Sequence, residues 1–338
     1  VEARAFAALP PGSLAYRLLD CWQRRFPLDE RPWSVIAAAL GTGEDAVLDV
    51  ARRAAAAGVL ARVGAVFRPN TVGASTLAAF AVPPEQLDAI AARVSAHPEV
   101  NHNYAREHAV NLWFVAAAPD ADALGRALGA IERDCGLPLL RLPLVRDYAI
   151  DLGFPLAGRR AAPVQADRPT APLALDVRDR RLLAALDDGL ALVPRPWADL
   201  ARRAGVTDGW ARVRIAQWLN LGAIARLGLV LRHRPLGWTA NAMCVWDVPD
   251  EHADALGLAL AGEDGVTLAY RRARDGAWRH NLYAMIHGRE RAAVEARRDA
   301  IAARHDLDRL PHATLFSTRA YVQRGARYGR AEIATAAA

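Results

Sequence analysis

Apolar residues recur three and four positions apart in three short blocks, Leu14–Arg25, Trp33–Leu40 and Glu44–Ala57. That spacing puts them on one face of a helix. Gly41 and Gly43 mark the turn between the second and third blocks, and Leu60–Phe67 follows as extended chain. Three helices, a glycine-containing turn and a hairpin give the order of a winged helix-turn-helix. The pattern then alternates: Ser75–Val82 extended, Pro84–Ala96 helical, Val100–Arg106 and Ala109–Ala117 extended, Asp120–Cys135 helical, Leu139–Ala149 extended. This is the βαββαβ order of a ferredoxin-like domain.

The same order occurs twice. Arg31-Pro32-Trp33 returns as Arg195-Pro196-Trp197, and Gly58–Gly64 (GVLARVG) as Gly222–Gly228 (GAIARLG). Val100–Arg106 (VNHNYAR) returns as Val266–Arg272 (VTLAYRR), and Asn111-Leu112-Trp113 as Asn281-Leu282-Tyr283. Between the copies, Pro155–Pro172 is rich in Pro, Ala and Arg without apolar periodicity and reads as a linker. The expected architecture is α+β, in tandem: helix-turn-helix-like domains over 13–64 and 173–228, ferredoxin-like domains over 65–154 and 229–328. A winged helix-turn-helix followed by βαββαβ resembles the Lrp/AsnC regulators, whose second domain pairs through its sheets and binds small ligands. The resemblance leaves two readings, a DNA-binding regulator or a protein derived from one.

Composition narrows the choice. The chain has 338 residues, 53% of them hydrophobic, enough for several packed cores. No apolar run approaches the roughly 20 residues of a membrane span, and Val1–Pro11 does not read as a signal peptide. Cys21, Cys135 and Cys244 are odd in number and far apart, with no zinc spacing, so a metal site is not expected and a reducing cytoplasm is. Basic residues outnumber acidic ones, 43 to 37, and every basic residue is Arg. Arginine grips carboxylates and phosphates through a planar fork, so the partner is a nucleic acid or a small polyanion. The first reading helix opens with Glu44 and Asp45, with Asp49 a turn later, which repels a phosphate backbone. The second carries Asp208, Trp210, Arg212 and Arg214. Two unlike heads do not suit a palindromic site, and DNA is not the expected partner.

Three groups carry candidate chemistry. Along Val100–Arg106, period two puts His102, Tyr104 and Arg106 on one face. The row is either the solvent side of an edge strand or a ligand-binding face. In the second copy the same face has Leu268, Tyr270 and Arg272, while His287 appears on the next strand where the first copy has Ala117. Each half therefore keeps Tyr and Arg and owns one differently placed His. Arg232-His233-Arg234 forms either a carboxylate clamp or a solvated turn. Arg62 and Arg226, before the hairpin glycines, are either ligand contacts or exposed hairpin residues.

The stretches NHNYAREHAVNLWF, RVGAVF, LRHRPLGWTANAMCVWDVP and NLYAMIHGRER resemble the siroheme decarboxylases, enzymes derived from the Lrp/AsnC fold. The first half resembles the D-type subunit and the second the L-type. One departure is Arg279-His280, where L-type proteins are expected to carry Pro-Tyr. The resemblance implies loss of carbon dioxide from two acetate side chains of siroheme, giving didecarboxysiroheme. It implies His102 and His287 as acids, and Arg62, Tyr104, Arg106, Arg226, Arg232, His233, Tyr270 and Arg272 as contacts of an anionic tetrapyrrole. His233 is also a candidate ligand of the substrate's iron. No cofactor beyond that iron is expected, and no membrane. The halves are expected to pair within the chain, with a homodimer or a second decarboxylase subunit pair as further partners. A tetrapyrrole-sensing regulator is the alternative.

Overall fold

Each half begins with three helices whose apolar stripes meet in one shared core. In the computed structural model, residues 6, 9–150, 153, 156, 171–232, 234–276 and 278–328 are described. Most of the expected linker and His233 lie outside them. The first half contains α1 (Leu14–Cys21), α2 (Pro32–Leu40), α3 (Glu44–Ala56), β1 (Leu60–Phe67), β2 (Ala74–Phe80), α4 (Leu87–Ala96), β3 (Val100–Arg106), β4 (Leu112–Ala118), α5 (Ala121–Cys135) and β5 (Leu140–Ile150). The second repeats it: α6 (Val177–Asp187), α7 (Pro196–Ala204), α8 (Asp208–Asn220), β6 (Ile224–Leu231), β7 (Ala240–Trp246), α9 (Asp250–Ala261), β8 (Val266–Arg272), β9 (Leu282–Gly288), α10 (Arg291–Arg304) and β10 (His312–Gln323).

The repeated Arg-Pro-Trp triplet is a folding signal. Proline takes the first helical position of α2 and α7, where its missing N–H costs nothing. Trp33 and Trp197 are fully buried one residue later, and both meet the edge of Phe26, at 5.1 and 6.0 Å between ring centroids. Both trihelical units thus share one core.

The expected hairpin wings do not form within each half. β1 instead pairs antiparallel with β6, Gly64 opposite Gly228, making a two-stranded sheet between the halves. This also ends α1 at Cys21 rather than Arg25. The following residues are captured by β6: Leu229 N–H donates to the Trp22 carbonyl (2.9 Å), and Phe26 N–H to the Leu227 carbonyl (3.0 Å). Gly228 allows the approach, since a Cβ there would lie 2.3 Å from the Gln23 backbone. β1 and β6 run across the expected domain boundaries at 64/65 and 228/229.

The ferredoxin-like units close on each other. Eight strands form a barrel in the order β10-β3-β4-β2-β5-β8-β9-β7. β5 pairs with β2 through Leu140–Pro143 and then crosses to β8 through Leu144–Ile150. β10 does the same from the other side, with β7 through His312–Phe316 and then with β3. No edge remains, which removes the exposed-edge reading of β3. Helices α4 and α5 cover one half of the barrel, and α9 and α10 the other, over separate apolar layers. The interior has its own smaller cluster, Leu77, Trp113, Leu142, Met243, Trp278, Tyr283, Met285 and Leu315 among it.

Candidate active site in the barrel

Alternation along β3 decides what enters the barrel. Asn103 points outward, its amide donating to the Ala91 carbonyl (3.1 Å) and Ser95 Oγ (3.0 Å) of α4. His102, Tyr104 and Arg106 therefore point inward. The rings of His102 and Tyr104 stack at 6.1 Å and 15°, and the Arg106 guanidinium sits 5.7 Å from the Tyr104 centroid. The second half repeats the arrangement, with Arg272 4.7 Å from the centroid of Tyr270 and 5.9 Å from that of Tyr283.

Both arginines are buried, and each donates Nη1 to a carbonyl where a strand crosses between halves. Arg106 bonds Leu315 O (3.1 Å) and Arg272 bonds Leu142 O (2.8 Å). Among the described residues neither has a carboxylate partner, and the Nε of each is buried without a hydrogen bond. Burial weakens the hold of both on their protons. The hydroxyl of Tyr104 is raised by burial, against the opposing charges of Arg106 and Arg234. A buried cation without a counterion is costly, and an anion entering this space relieves that cost.

Arg62 is not an exposed hairpin residue. Its Nη1 donates to the Ala65 carbonyl (3.1 Å), and its side chain lies against Gly189 and Gly325. It faces both Asp187 and His102. Burial, with the charge of Arg62 second, pulls the His102 imidazole down to about 4. His102 is neutral near pH 7, and its Nδ1 has no hydrogen-bond partner.

His287 stands elsewhere on the wall, with β10 and β7 between β3 and β9. Its Nε2 meets Asn241 Nδ2 at 2.9 Å and its Nδ1 meets Thr267 Oγ1 at 2.9 Å. A cavity of about 390 Å³ reaches it, lined also by Trp238, Arg289, Glu290 and Arg297.

Two expected contacts are engaged outside this group. Arg226 donates to the carbonyls of Gln23 (3.0 Å) and Leu229 (3.4 Å), tying β6 to the chain after α1. Arg232 donates to Gly58 O (3.2 Å). Of the Arg-His-Arg triplet it is Arg234 that lies near Tyr104, with Nη2 on Ser317 O at 3.2 Å. Asn111 and Asn281, repeated in the sequence, are structural: their amides bond the backbone of Val82 and Val248. Trp278, absent from the sequence-based expectations, packs inside the barrel with Trp113 and Tyr283. Trp278 Nε1 donates to Tyr283 Oη (2.7 Å), and the Trp278 ring meets Trp113 at 5.0 Å. The departing His280 packs edge-on against Trp278 at 4.9 Å, in a loop that Arg274 fastens to Asp247 and Asp250.

The site is thus a closed, partly aromatic barrel with buried cations that have no carboxylate partner among the described residues, and two separate imidazoles. Family models match it in tandem: an AsnC-like ligand-binding domain at residues 72–148 and 235–321, and a siroheme decarboxylase NirDL-like helix-turn-helix domain at 16–60 and 179–224. The fold and site define a duplicated AsnC-like ligand-binding protein. The chain is 49% identical over 93% of its length to the siroheme decarboxylase NirDL subunit of Paracoccus denitrificans, spanning 96% of that protein. It is 28% identical to the siroheme decarboxylase of Hydrogenobacter thermophilus over 90% of this chain and 92% of that one. A crystal structure of the siroheme decarboxylase NirDL superposes with a TM-score of 0.69 at 25% identity, covering 96% of this chain and 99% of that one. The chain belongs to the siroheme decarboxylase NirDL family, a family of enzymes.

Proposed function

We propose that this chain is a carboxy-lyase that removes carbon dioxide from two acetate side chains of siroheme. The observation that carries the reading is the pair of buried arginines, Arg106 and Arg272, without carboxylate partners among the described residues. They suit the non-reacting carboxylates of a polyanionic macrocycle. Tyr104, Tyr270, Trp113 and Trp278 suit its flat apolar body. Each reaction breaks the bond between a methylene carbon and its carboxylate. The electron pair passes into the macrocycle, carbon dioxide leaves, and one proton joins the methylene carbon to make a methyl group. Nothing is oxidised, so the protein needs no cofactor of its own, and the iron belongs to the substrate.

The protein supplies position, desolvation and the proton. His102 serves one acetate and His287 the other. His102 is neutral in the free protein because it is buried beside Arg62. A carboxylate bound to Arg62 cancels the smaller of those two causes and, by also meeting the imidazole, offsets the larger one, so that His102 takes up the proton it then delivers.

Relatives include subunits named siroheme decarboxylase NirD, NirL and NirH. In this chain the two halves are joined by three strand pairings, β1–β6, β5–β8 and β10–β3. We therefore propose that the two halves pair within this chain as separate D-type and L-type subunits would pair with each other. The free cysteines agree with work in the cytoplasm, and no described helix is long and apolar enough to cross a membrane.

The reading helices do not favour DNA. The arginines of α3 and α8 are all engaged: Arg52 on Leu192 O, Arg53 on Asp49, Arg212 on Asp208 and Leu28 O, and Arg214 on Asp179. Anaerobic incubation of the purified chain with siroheme, followed by mass spectrometry of the pigment, tests the reading. The expected product has lost two carbon dioxide units. Unchanged pigment that remains bound would replace the enzyme with a sensor.

A further inference from the structure

The second half carries a group of three residues that the first half lacks in full. His287, Asn241 and Thr267 stand where the first half has Ala117, Ser75 and Asn101. Asn241 lies opposite His287 in the β7–β9 ladder. Thr267 sits at the register shift between Val266 and Leu268, the irregularity that lets it face the ring as well. All three differ together between copies of one ancestral unit, as parts of a single device would.

The hydrogen bonds give each member a role. The Thr267 hydroxyl has one proton and two acceptors in reach, the Met285 carbonyl at 3.3 Å and His287 Nδ1 at 2.9 Å. The Asn241 nitrogen, facing Nε2, makes Nε2 the bare nitrogen and so directs the hydroxyl proton to the carbonyl. The hydroxyl oxygen is then an acceptor toward Nδ1 of His287, so Nδ1 carries a proton. Nε2 faces the Asn241 amide, whose nitrogen donates to a bare Nε2. The other end of that amide, Oδ1, is buried without a partner. Turned end for end, the amide offers this oxygen to a protonated Nε2. The cavity of about 390 Å³ brings solvent to the ring past Arg289, Glu290 and Arg297, a route by which the proton is replaced.

We propose that Thr267 and Asn241 are positioning residues that dedicate the two nitrogens of His287 to different tasks. Thr267 keeps Nδ1 protonated at all times. Asn241 follows the charge state of Nε2, which is the nitrogen that takes up and releases the proton. The structural part stands by itself. The catalytic part rests on the proposed decarboxylation, in which Nε2 supplies the proton for one acetate.

The test uses the full chain labelled with ¹⁵N-histidine, with His287 assigned by the signal lost in His287→Gln. Long-range proton–nitrogen correlation at neutral pH reads the tautomer without any substrate. The expected wild-type spectrum has a protonated Nδ1 and a bare Nε2, Thr267→Val moves the proton toward Nε2, and Thr267→Ser restores the original form. A proton on Nε2 in the neutral wild type, or an unchanged tautomer in Thr267→Val, overturns the assignment. With siroheme, Thr267→Val is expected to lose its first carbon dioxide at the wild-type rate and its second at least about tenfold more slowly, so that singly decarboxylated pigment accumulates. Equal slowing of both losses overturns the catalytic part while leaving the tautomer result intact. Failure of the wild type to decarboxylate would strike the proposed function and not the spectrum.

Discussion

His102 and His287 belong to two copies of one unit, yet their surroundings are opposite. His102 has an unpartnered Nδ1, a cation beside it and no clamp, and burial holds it neutral. His287 is held at both ring nitrogens by an amide and a hydroxyl. The arginines that precede the paired glycines divide in the same manner. Arg62 faces His102 and Asp187, whereas Arg226 ties down the Gln23 carbonyl. Duplication kept the scaffold and gave each histidine its own surroundings, and in the proposed reaction each copy thereby builds its own proton source. A free imidazole awaits a bound anion to change its charge, while a clamped one is ready in a set orientation.

The largest expected effect separates the two stations. His102→Ala should slow one decarboxylation by about 10² to 10⁴, the usual contribution of a positioned acid, and His287→Ala should slow the other. Mass spectrometry should find a singly decarboxylated pigment in each case, and chromatography should resolve the two as different isomers. The same isomer from both variants would break the division of labour.

That division was only half visible in the sequence. The duplication, the element order and the His102–Tyr104–Arg106 row follow from spacing, because a period of two or 3.6 is a local property. The closed barrel is not local. Nothing in the composition of β1 says that it pairs with β6 rather than folding back as a hairpin, so the sequence leaves Arg62 and Arg226 open between ligand contacts and exposed hairpin residues. Arg232 and Arg234 flank the same histidine, and only the course of the chain after β6 sends one to Gly58 and the other to Tyr104. Trp278 belongs to a loop with no periodicity at all. Thr267 reaches His287 through a strand irregularity, which alternation cannot foresee.

The interface between the halves should respond as unequally as the histidines. A methyl group at residue 228 would press on the Gln23 backbone at 2.3 Å, and backbone cannot step aside. At Gly64, directly opposite, the nearest atom is Arg62 Nη1 at 2.9 Å, the far end of a flexible side chain. Gly228→Ala should therefore cost about 3 kcal/mol and Gly64→Ala less than about 1 kcal/mol in chemical unfolding. Equal costs would contradict the tight crossing of the chain after α1.

Where the halves agree, they should respond alike. Arg106→Met and Arg272→Met each remove a buried cation that has no counterion among the described residues, so melting temperature should hold or rise. The Michaelis constant for siroheme should rise about 10- to 100-fold, as for a lost charge-assisted hydrogen bond. A fall in stability with unchanged substrate affinity would make these arginines structural braces between crossing strands.

The smallest effect isolates Arg62 from burial in setting the charge of His102. Burial is the larger cause of the fall from 6.5 to about 4, and the Arg62 charge is the smaller. Arg62→Gln should raise that value and still leave it below 6.5, which an NMR titration of His102 reads directly. The sign for folding follows from the same shift. The unfolded chain binds the proton near 6.5 and the folded chain only near 4, so stability is full above 6.5 and declines as pH falls between those values. His102→Gln should flatten this decline, and Arg62→Gln should reduce it by a smaller amount. Arg226→Gln should lower stability, because its bonds hold the Gln23 and Leu229 carbonyls between β6 and the chain after α1. A titration of His102 that ignores Arg62 would leave burial alone as the cause, and the bound carboxylate would then charge the imidazole only by meeting it.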